Sequence, residues 1–480
     1  MKKNITRKLK SILAFSLAAI LILAACGCKN KVKADGILDE GEVPVPEGKV
    51  RLQYQLAATE ADKRSVNDWI AAFTKMYPKV KVTPEFSTSV NVPAQISSRT
   101  IADVFFFWET DVYNYAVSQE ALMPLDYYAE AYGIETGEVF NAIYDMGVIN
   151  GKLYMVMRDY NHIVLVYNKD IINGAGLADP QSLEKSGDWT WDTFKSYCEG
   201  ITNMDDSIEN PNVGCALRLG YAPLYIPVLE GWGGKWFDTA NKKVSFIDDE
   251  KVLEGINEMV TFVQSNNCCF RSASDSGLSA NSIQATESQR SYSGYEGLLT
   301  TNVGFFDTEF PNFASIGDKF DQQGTSWDVI SMPKYPTHKV GTGATGFGVF
   351  AYTKNPHAAA ALCLSLYTPA GQKAYNGQEG GSVPNVKSLA DDSFWRVPYP
   401  DASVDADDPD AKNYFAFTSF PEADTYGRVE CVLPPEIATI VRTYMTNVIP
   451  DAVNGVRAVD VTLQELQTTA NEKWAQIYKG

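Results

Sequence analysis

Apolar and polar positions change period several times along this chain, and each change predicts an element. Residues 50–56, VRLQYQL, alternate as a strand does. Val66, Trp69, Ile70 and Phe73 then recur at i, i+3, i+4 and i+7, which places them on one face of a helix. Tyr77-Pro78 ends that helix, and VKVTPEF at 80–86 returns to strand. Strand, helix and strand with short joints form a βαβ unit and call for a parallel sheet. IADVFFFW (101–108) is a continuous apolar run that stops at Glu109, Thr110 and Asp111. Such a run suits a strand covered on both faces. Residues 152–172 carry two more strands around a polar break, Arg158 to His162.

Helical spacing returns at 190–201, where Phe194, Tyr197, Cys198 and Ile201 share a face. It returns again at 248–263, with Val252, Ile256, Val260 and Val263, and at 460–478, with Leu463, Leu466, Trp474 and Ile477. Asn355-Pro356 predicts a helix start, Asn as the cap and Pro in the first turn. GTGATG at 341–346 has the spacing of a dinucleotide-binding loop, but that loop requires a helix directly after it. Here GFGVFAYT follows and alternates as a strand, so the segment reads as a Gly-rich crossing.

The first 25 residues have a pattern of their own. Lys2, Lys3, Arg7, Lys8 and Lys10 precede SILAFSLAAILILAA, an uncharged run of small and apolar residues. It is short for a permanent membrane span and reads as an export signal. Leu23-Ala24-Ala25-Cys26 looks like a bacterial lipobox, in which the Cys is diacylglycerylated and becomes the first mature residue. More than one acyl chain gives stable anchoring. The expectation is a signal peptide at 1–25, a lipidated Cys26 opening a polar tether at 26–48, and a location on the outer side of the cell membrane.

Length then adds that 480 residues exceed what one core usually holds, so more than one domain is expected. The net charge of −18 disfavours a nucleic-acid partner, because a polyanion would be repelled. Only His162, His338 and His357 are present, and no CxxC spacing occurs, which weakens any metal reading. P-loop, HExxH and GxSxG motifs are absent from the sequence. The expectation is a binding protein rather than an enzyme, with no cofactor and no metal. The acidic stretch 400–413 reads as a solvated loop.

Several segments in a fixed order carry a family likeness. They are FTKMYPKVKV (73–82), ADVFFFW with YAVSQEALMPLD (102–126), and GKLYMVMRDYNHIVLVYNKDII (151–172), above all Tyr167-Asn168-Lys169-Asp170. GLADP with DWTWDTF, and GFGVFAYTKNPHAAAALCLSLYTPAGQKAY (346–375), continue the order. Together they resemble the family 1 extracellular solute-binding proteins, receptors of ATP-binding cassette sugar importers. The usual Phe after YNKD is replaced by Ile171-Ile172, and GLLTTNVGFF (297–306) replaces a Met-rich segment. The resemblance implies an α/β, two-lobed, class II periplasmic-binding-protein-like fold with a hinged interlobe cleft. It divides the body into a first lobe, 49–165 plus 345–380, and a second, 166–344 plus 381–480. It also implies a monomer that delivers its ligand to membrane permease subunits.

In open α/β sheets a ligand sits beyond the carboxyl ends of strands, which selects the candidate contacts. Trp108, Glu109 and Asp111 end one strand, and Tyr160 and Asn161 lie at the polar break before a crossing strand. Tyr221 and Trp232 flank GYAPLY and GWGGKWF, Phe306 ends NVGFF, and Phe347 adjoins the Gly-rich crossing. Aromatic rings suit the C–H faces of a sugar, and carboxylates and amides suit its hydroxyls. The reading is a carbohydrate, most simply an oligosaccharide. A peptide, polyamine or phosphorylated ligand on the same fold remains open, Arg158 being the group that would take a phosphate. So does a surface-anchored glycoside hydrolase.

Overall fold

The computed structural model describes residues 43–56, 60–202, 212–217, 221–265, 302–377, 382–405, 408, 410–420, 425–426, 429–453 and 455–477. The expected export signal, Cys26 and most of the expected tether lie outside these residues. The principal strands are β1 (Gly48–Tyr54), β2 (Val80–Phe86), β3 (Val104–Trp108), β4 (Val156–Met157), β5 (Asn161–His162) and β6 (Val164–Asn168). They continue with β7 (Val213–Ala216), β8 (Val303–Thr308), β9 (Trp327–Ser331), β10 (Val340–Gly343), β11 (Thr345–Val349) and β12 (Thr425–Tyr426). The principal helices are α1 (Glu60–Met76), α2 (Trp191–Ile201), α3 (Ala222–Gly231), α4 (Glu250–Ser265), α5 (Pro356–Leu364), α6 (Pro369–Asn376), α7 (Pro435–Val453) and α8 (Val459–Ile477).

Two sheets form the bodies of two lobes. The first has the order β2-β1-β3-β11-β4, and the second β9-β6-β8-β7. β1, α1 and β2 make the expected parallel unit, with Val50 opposite Val82. Val66, Trp69 and Phe73 on α1 are fully buried, as their spacing requires, and the Trp69 indole donates to Ser365 Oγ at 2.8 Å. β3 is covered on both faces. Phe105 and Phe107 pack on Tyr115, while Phe106 turns to Tyr54 and Phe347. In the second lobe Leu165 and Tyr167 of β6 join Phe305, Phe194 and Trp189 beneath α2. Helices α3, α4, α7 and α8 add Val228, Ile256, Val441, Leu463 and Trp474 to the same core.

A third sheet, β12-β10-β5, lies between the lobes. β5 and β10 are antiparallel, with Thr342 opposite His162 and Gly343 opposite Asn161. Each continues within a few residues into a lobe strand, β5 into β6 and β10 into β11. They are the crossing strands. Gly341 is required here, because a Cβ would lie 1.8 Å from the Pro223 carbonyl at the start of α3. The Gly-rich segment 341–346 is therefore strand, as its alternation predicts.

Three boundaries differ from expectation. Pro44 is already buried and Glu47 pairs with Lys79, so the folded body begins before residue 49. The segment after 380, expected in the second lobe, returns first to the first lobe. Val383 bridges Tyr160, Val386 bridges Val139, and the Asn385 amide donates to the Met157 carbonyl. Only at Trp395, packed against Phe310, does it reach the second lobe. The turn at Val429–Val432 again touches the first lobe. It packs on the Glu109–Asp111 turn and on the short helix Asn141–Met146, both of the first lobe, while Leu433 is buried in the core of the second. Of the described residues in the acidic stretch, 403–405 and 410 are exposed as expected of a solvated loop, but two others are anchored. Asp401 pairs with Arg396 at 2.5 Å, and the buried Lys412 ammonium lies over Trp327 and Tyr399 at 4.7 and 5.2 Å.

Candidate functional site

Strand register locates the site. Thr345 at the start of β11 lies opposite Trp108 at the end of β3, and Gly346 lies opposite Met157 at the end of β4. In the second lobe Val164 at the start of β6 lies opposite Thr308 and Ser331, the last residues of β8 and β9. β11 and β6 are the strands entered directly from the crossing pair. The carboxyl edges of both sheets therefore face the crossing strands, where α/β sheets bind ligands.

Trp108 stands at this edge with 39% of its surface exposed, its ring edge-on to Phe106 at 5.2 Å. Glu109 and Asp111 follow in a short helical turn that packs near the Val429–Val432 turn. Glu109 is 1% exposed. Burial pushes the Asp111 carboxyl above its usual value, and the Arg442 guanidinium of α7 pulls the other way. That attraction runs from one lobe to the other. The Arg442 Nε is itself buried and makes no hydrogen bond. Tyr160 is buried, stacked on Phe140 at 4.7 Å, with its hydroxyl 3.0 Å from His162 Nδ1. Asn161 is 5% exposed. Its amide donates to Ser382 Oγ at 3.3 Å, while its Oδ1 has no donor. The Tyr221 hydroxyl donates to Glu309 Oε1 at 2.6 Å, beside Gly343 of β10.

Arg158 occupies the root of the crossing. Its Nε donates to Thr345 Oγ1 at 2.5 Å and its Nη1 to the Tyr375 hydroxyl at 3.1 Å, with Tyr54 Oη at 3.5 Å. Asp159 pairs with it at 3.1 Å. Burial opposes the guanidinium charge, but Asp159 and the two tyrosines outweigh it and hold its pKa above the ordinary arginine value. Burial also raises the Asp159 carboxyl, against the pull of Arg158, Ser382 and Asn161.

The remaining aromatic candidates face elsewhere. Phe347 is fully buried, its ring 5.0 Å from Trp69 and 5.8 Å from Phe106, because its side of β11 faces α1. Phe306 lies on the opposite face of β8 from Phe305 and stacks on Phe320 at 6.1 Å inside the core. Trp232 follows the last residue of α3, whereas Tyr221 precedes the first, so roughly 15 Å of helix separates them. Its ring packs on Tyr335 at 5.1 Å. The structure thus gathers Trp108, Glu109, Asp111, Tyr160, Asn161 and Tyr221 around the crossing strands, and leaves Phe347, Phe306 and Trp232 in packing roles. Two groups escaped sequence reading. Glu309 was accessible in principle, since it directly follows the strand ending in Thr308. Arg442 lies in the middle of α7 and nothing local marks it.

Among the described residues, no group of three or more His, Cys, Asp or Glu side chains is placed to hold a metal ion. No helix among them is long and apolar enough to cross a membrane. The arrangement offers one exposed indole face, carboxylates and an amide oxygen between two lobes. That is equipment for binding a ligand.

The chain was compared with known proteins. A model of the bacterial extracellular solute-binding protein family matches residues 68–410. No curated protein matches. Among solved structures, the fold is similar to an ABC substrate-binding protein from Listeria monocytogenes in complex with cycloalternan, at 16% identity and a TM-score of 0.64 over 89% of this chain and 99% of that one. It is also similar to the sugar-binding protein MalE from Xanthomonas citri, at 17% and 0.66 over 89% and 98%. A third is the cyclic alpha-maltosyl-1,6-maltose binding protein from Arthrobacter globiformis, at 16% and 0.65 over 90% and 100%. These likenesses show the two-lobed periplasmic-binding-protein fold, and the family is one of binding proteins rather than enzymes. With the family model spanning most of its length, the chain belongs to the bacterial extracellular solute-binding proteins.

Proposed function

We propose that this protein is the receptor of an ATP-binding cassette importer, held on the outer side of the cell membrane by an acylated Cys26. It closes its lobes over a carbohydrate, an oligosaccharide, and passes it to membrane permease subunits without altering it. The observation that carries this reading is the exposed Trp108 ring at the carboxyl edge of β3, with the half-buried Asp111 carboxylate three residues on. A flat ring covers the C–H face of a sugar, and each such stack contributes about 1–2 kcal/mol by area. Carboxylate acceptors make the stronger, charge-assisted bonds to hydroxyls. The ligands of the similar structures, cycloalternan among them, support the same class. The crossing strands provide a hinge, and a ligand that touches both lobes shifts the population towards the closed form.

A thermal-shift screen of the mature protein against mono- and oligosaccharides tests the reading, since a ligand of the native state must raise its stability. A raised melting temperature for a glycan, lost in Trp108→Ala, is the expected result. Release of new reducing ends from that glycan by pure protein would show an enzyme instead.

A further inference from the structure

The Glu109–Asp111 turn of the first lobe and helix α7 of the second both pack on the Val429–Val432 turn, where the chain passes between the lobes. α7 begins at Pro435 and reaches Arg442 seven residues later, a rise of roughly 10 Å from that joint. Each of the two facing charges is fixed to its own lobe. Glu109 and Val112, on either side of Asp111, are buried in the first. Val441 and Met445, on either side of Arg442, are fully buried in the core of the second.

The contact between them is incomplete. Arg442 is the charge that favours ionised Asp111, against the burial that disfavours it. Yet among the described residues neither side chain makes a hydrogen bond or a close ion pair, and the Arg442 Nε is buried without an acceptor. A buried N–H left unbonded is costly, and a carboxylate brought against it removes that cost with a charge-assisted bond. So near the joint the distances are short. At roughly 10 Å from it, a swing of about 20° carries a group through only about 3–4 Å, the difference between attraction at a distance and contact.

We propose that Asp111 and Arg442 are an interlobe latch: they meet when the lobes swing together, and the ion pair they form holds the closed form. The latch biases the equilibrium between open and closed protein before any ligand arrives, so it rests on the two-lobed fold and not on the carbohydrate reading.

Small-angle X-ray scattering from the ligand-free mature chain, carrying Cys26→Ala so that no acyl chain is attached, tests it. The radius of gyration, about 22 Å for a compact chain of this size, should rise by about 1 Å in Arg442→Gln and in Asp111→Asn. The double variant should be no larger than either single one, because a single interaction is being removed. Arg442→Glu sets like charges face to face and should expand the protein further, and Asp111→Lys added to it should restore the original size. Melting curves confirm that each variant is folded. Should one fail to fold, raising salt from about 0.05 to about 0.5 M weakens the attraction in the unsubstituted chain and should expand it in the same way. Equal sizes for all the folded proteins at both salt concentrations, or a double variant larger than either single one, overturn the latch. No glycan enters the measurement, so that result leaves the carbohydrate reading standing, and a glycan screen without a hit leaves the latch standing.

Discussion

Trp108 and Phe347 sit on the adjacent strands β3 and β11, two residues out of register, yet only one of them meets solvent. Trp108 is the neighbour of Thr345 in register, and Phe347, two residues on, is the neighbour of Phe106. Phe347 is gripped by Trp69, Phe106 and Tyr54. Phe347→Leu should therefore cost about 1–2 kcal/mol of stability, read from urea unfolding, and leave glycan affinity within a factor of two. A large loss of affinity with intact stability would return Phe347 to the cleft. His162 gives a second residue-level test. Burial holds its pKa down at about 4, with Ala416 accepting from Nε2 at 2.7 Å. The neutral form is thus favoured by folding. Its contribution is complete above the unfolded value near 6.5 and is lost as pH falls from there towards 4, by up to about 3 kcal/mol. The wild-type stability should drop across that window relative to His162→Gln, and parallel curves for the two proteins would contradict the assignment. Strand-end position was legible for Trp108 because an apolar run simply stops there. The inward turn of Phe306 and Phe347 was not, since a strand buried on both faces gives no alternation from which to tell one face from the other.

At the scale of elements, the long periodic segments were readable and the short ones were not. α1, α2, α4 and α8 follow from their apolar stripes, and β1, β2 and β3 from their runs. Residues 152–172, read as two strands around a polar break, divide instead among three sheets and a short hairpin. β4 and β5 are two residues each, and their partners β11 and β10 lie nearly two hundred residues away, so no local pattern could define them. The crossing sheet depends on close backbone approach. Gly341→Ala would push β10 away from the Pro223 carbonyl and should destabilise the protein by about 1–3 kcal/mol. Because β10 is a crossing strand, the same variant should also weaken glycan binding, measured by titration at a temperature where it is folded. Loss of stability with unchanged affinity would mean that the strand spacing does not govern closure.

The molecule as a whole is two lobes tied by more than the pair of crossing strands, since one buried cluster runs through both, from Trp69 and Phe106 to Phe306 and Trp327. The family likeness made its two-lobed plan visible from the order of segments, while the wandering of residues 382–433 between the lobes was hidden. Val383 and Val386 join the first lobe, Trp395 the second, the Val429–Val432 turn the first and Leu433 the second. No cut of the chain yields either lobe intact, so an isolated segment 166–344 should fail to give a cooperative melting transition. The last of these passages has a mechanical consequence. Cys431 and Leu433 are two residues apart, and two residues reach at most about 7 Å when fully stretched. Wherever the halves swing apart, they cannot gape at this point, which acts like the spine of a book. Spin labels at Asp145→Cys and Glu436→Cys, one on each cover beside the spine, should move by no more than roughly 5 Å when a glycan is added. The mouth of the molecule must lie along the opposite margin, and a ligand has to enter from there.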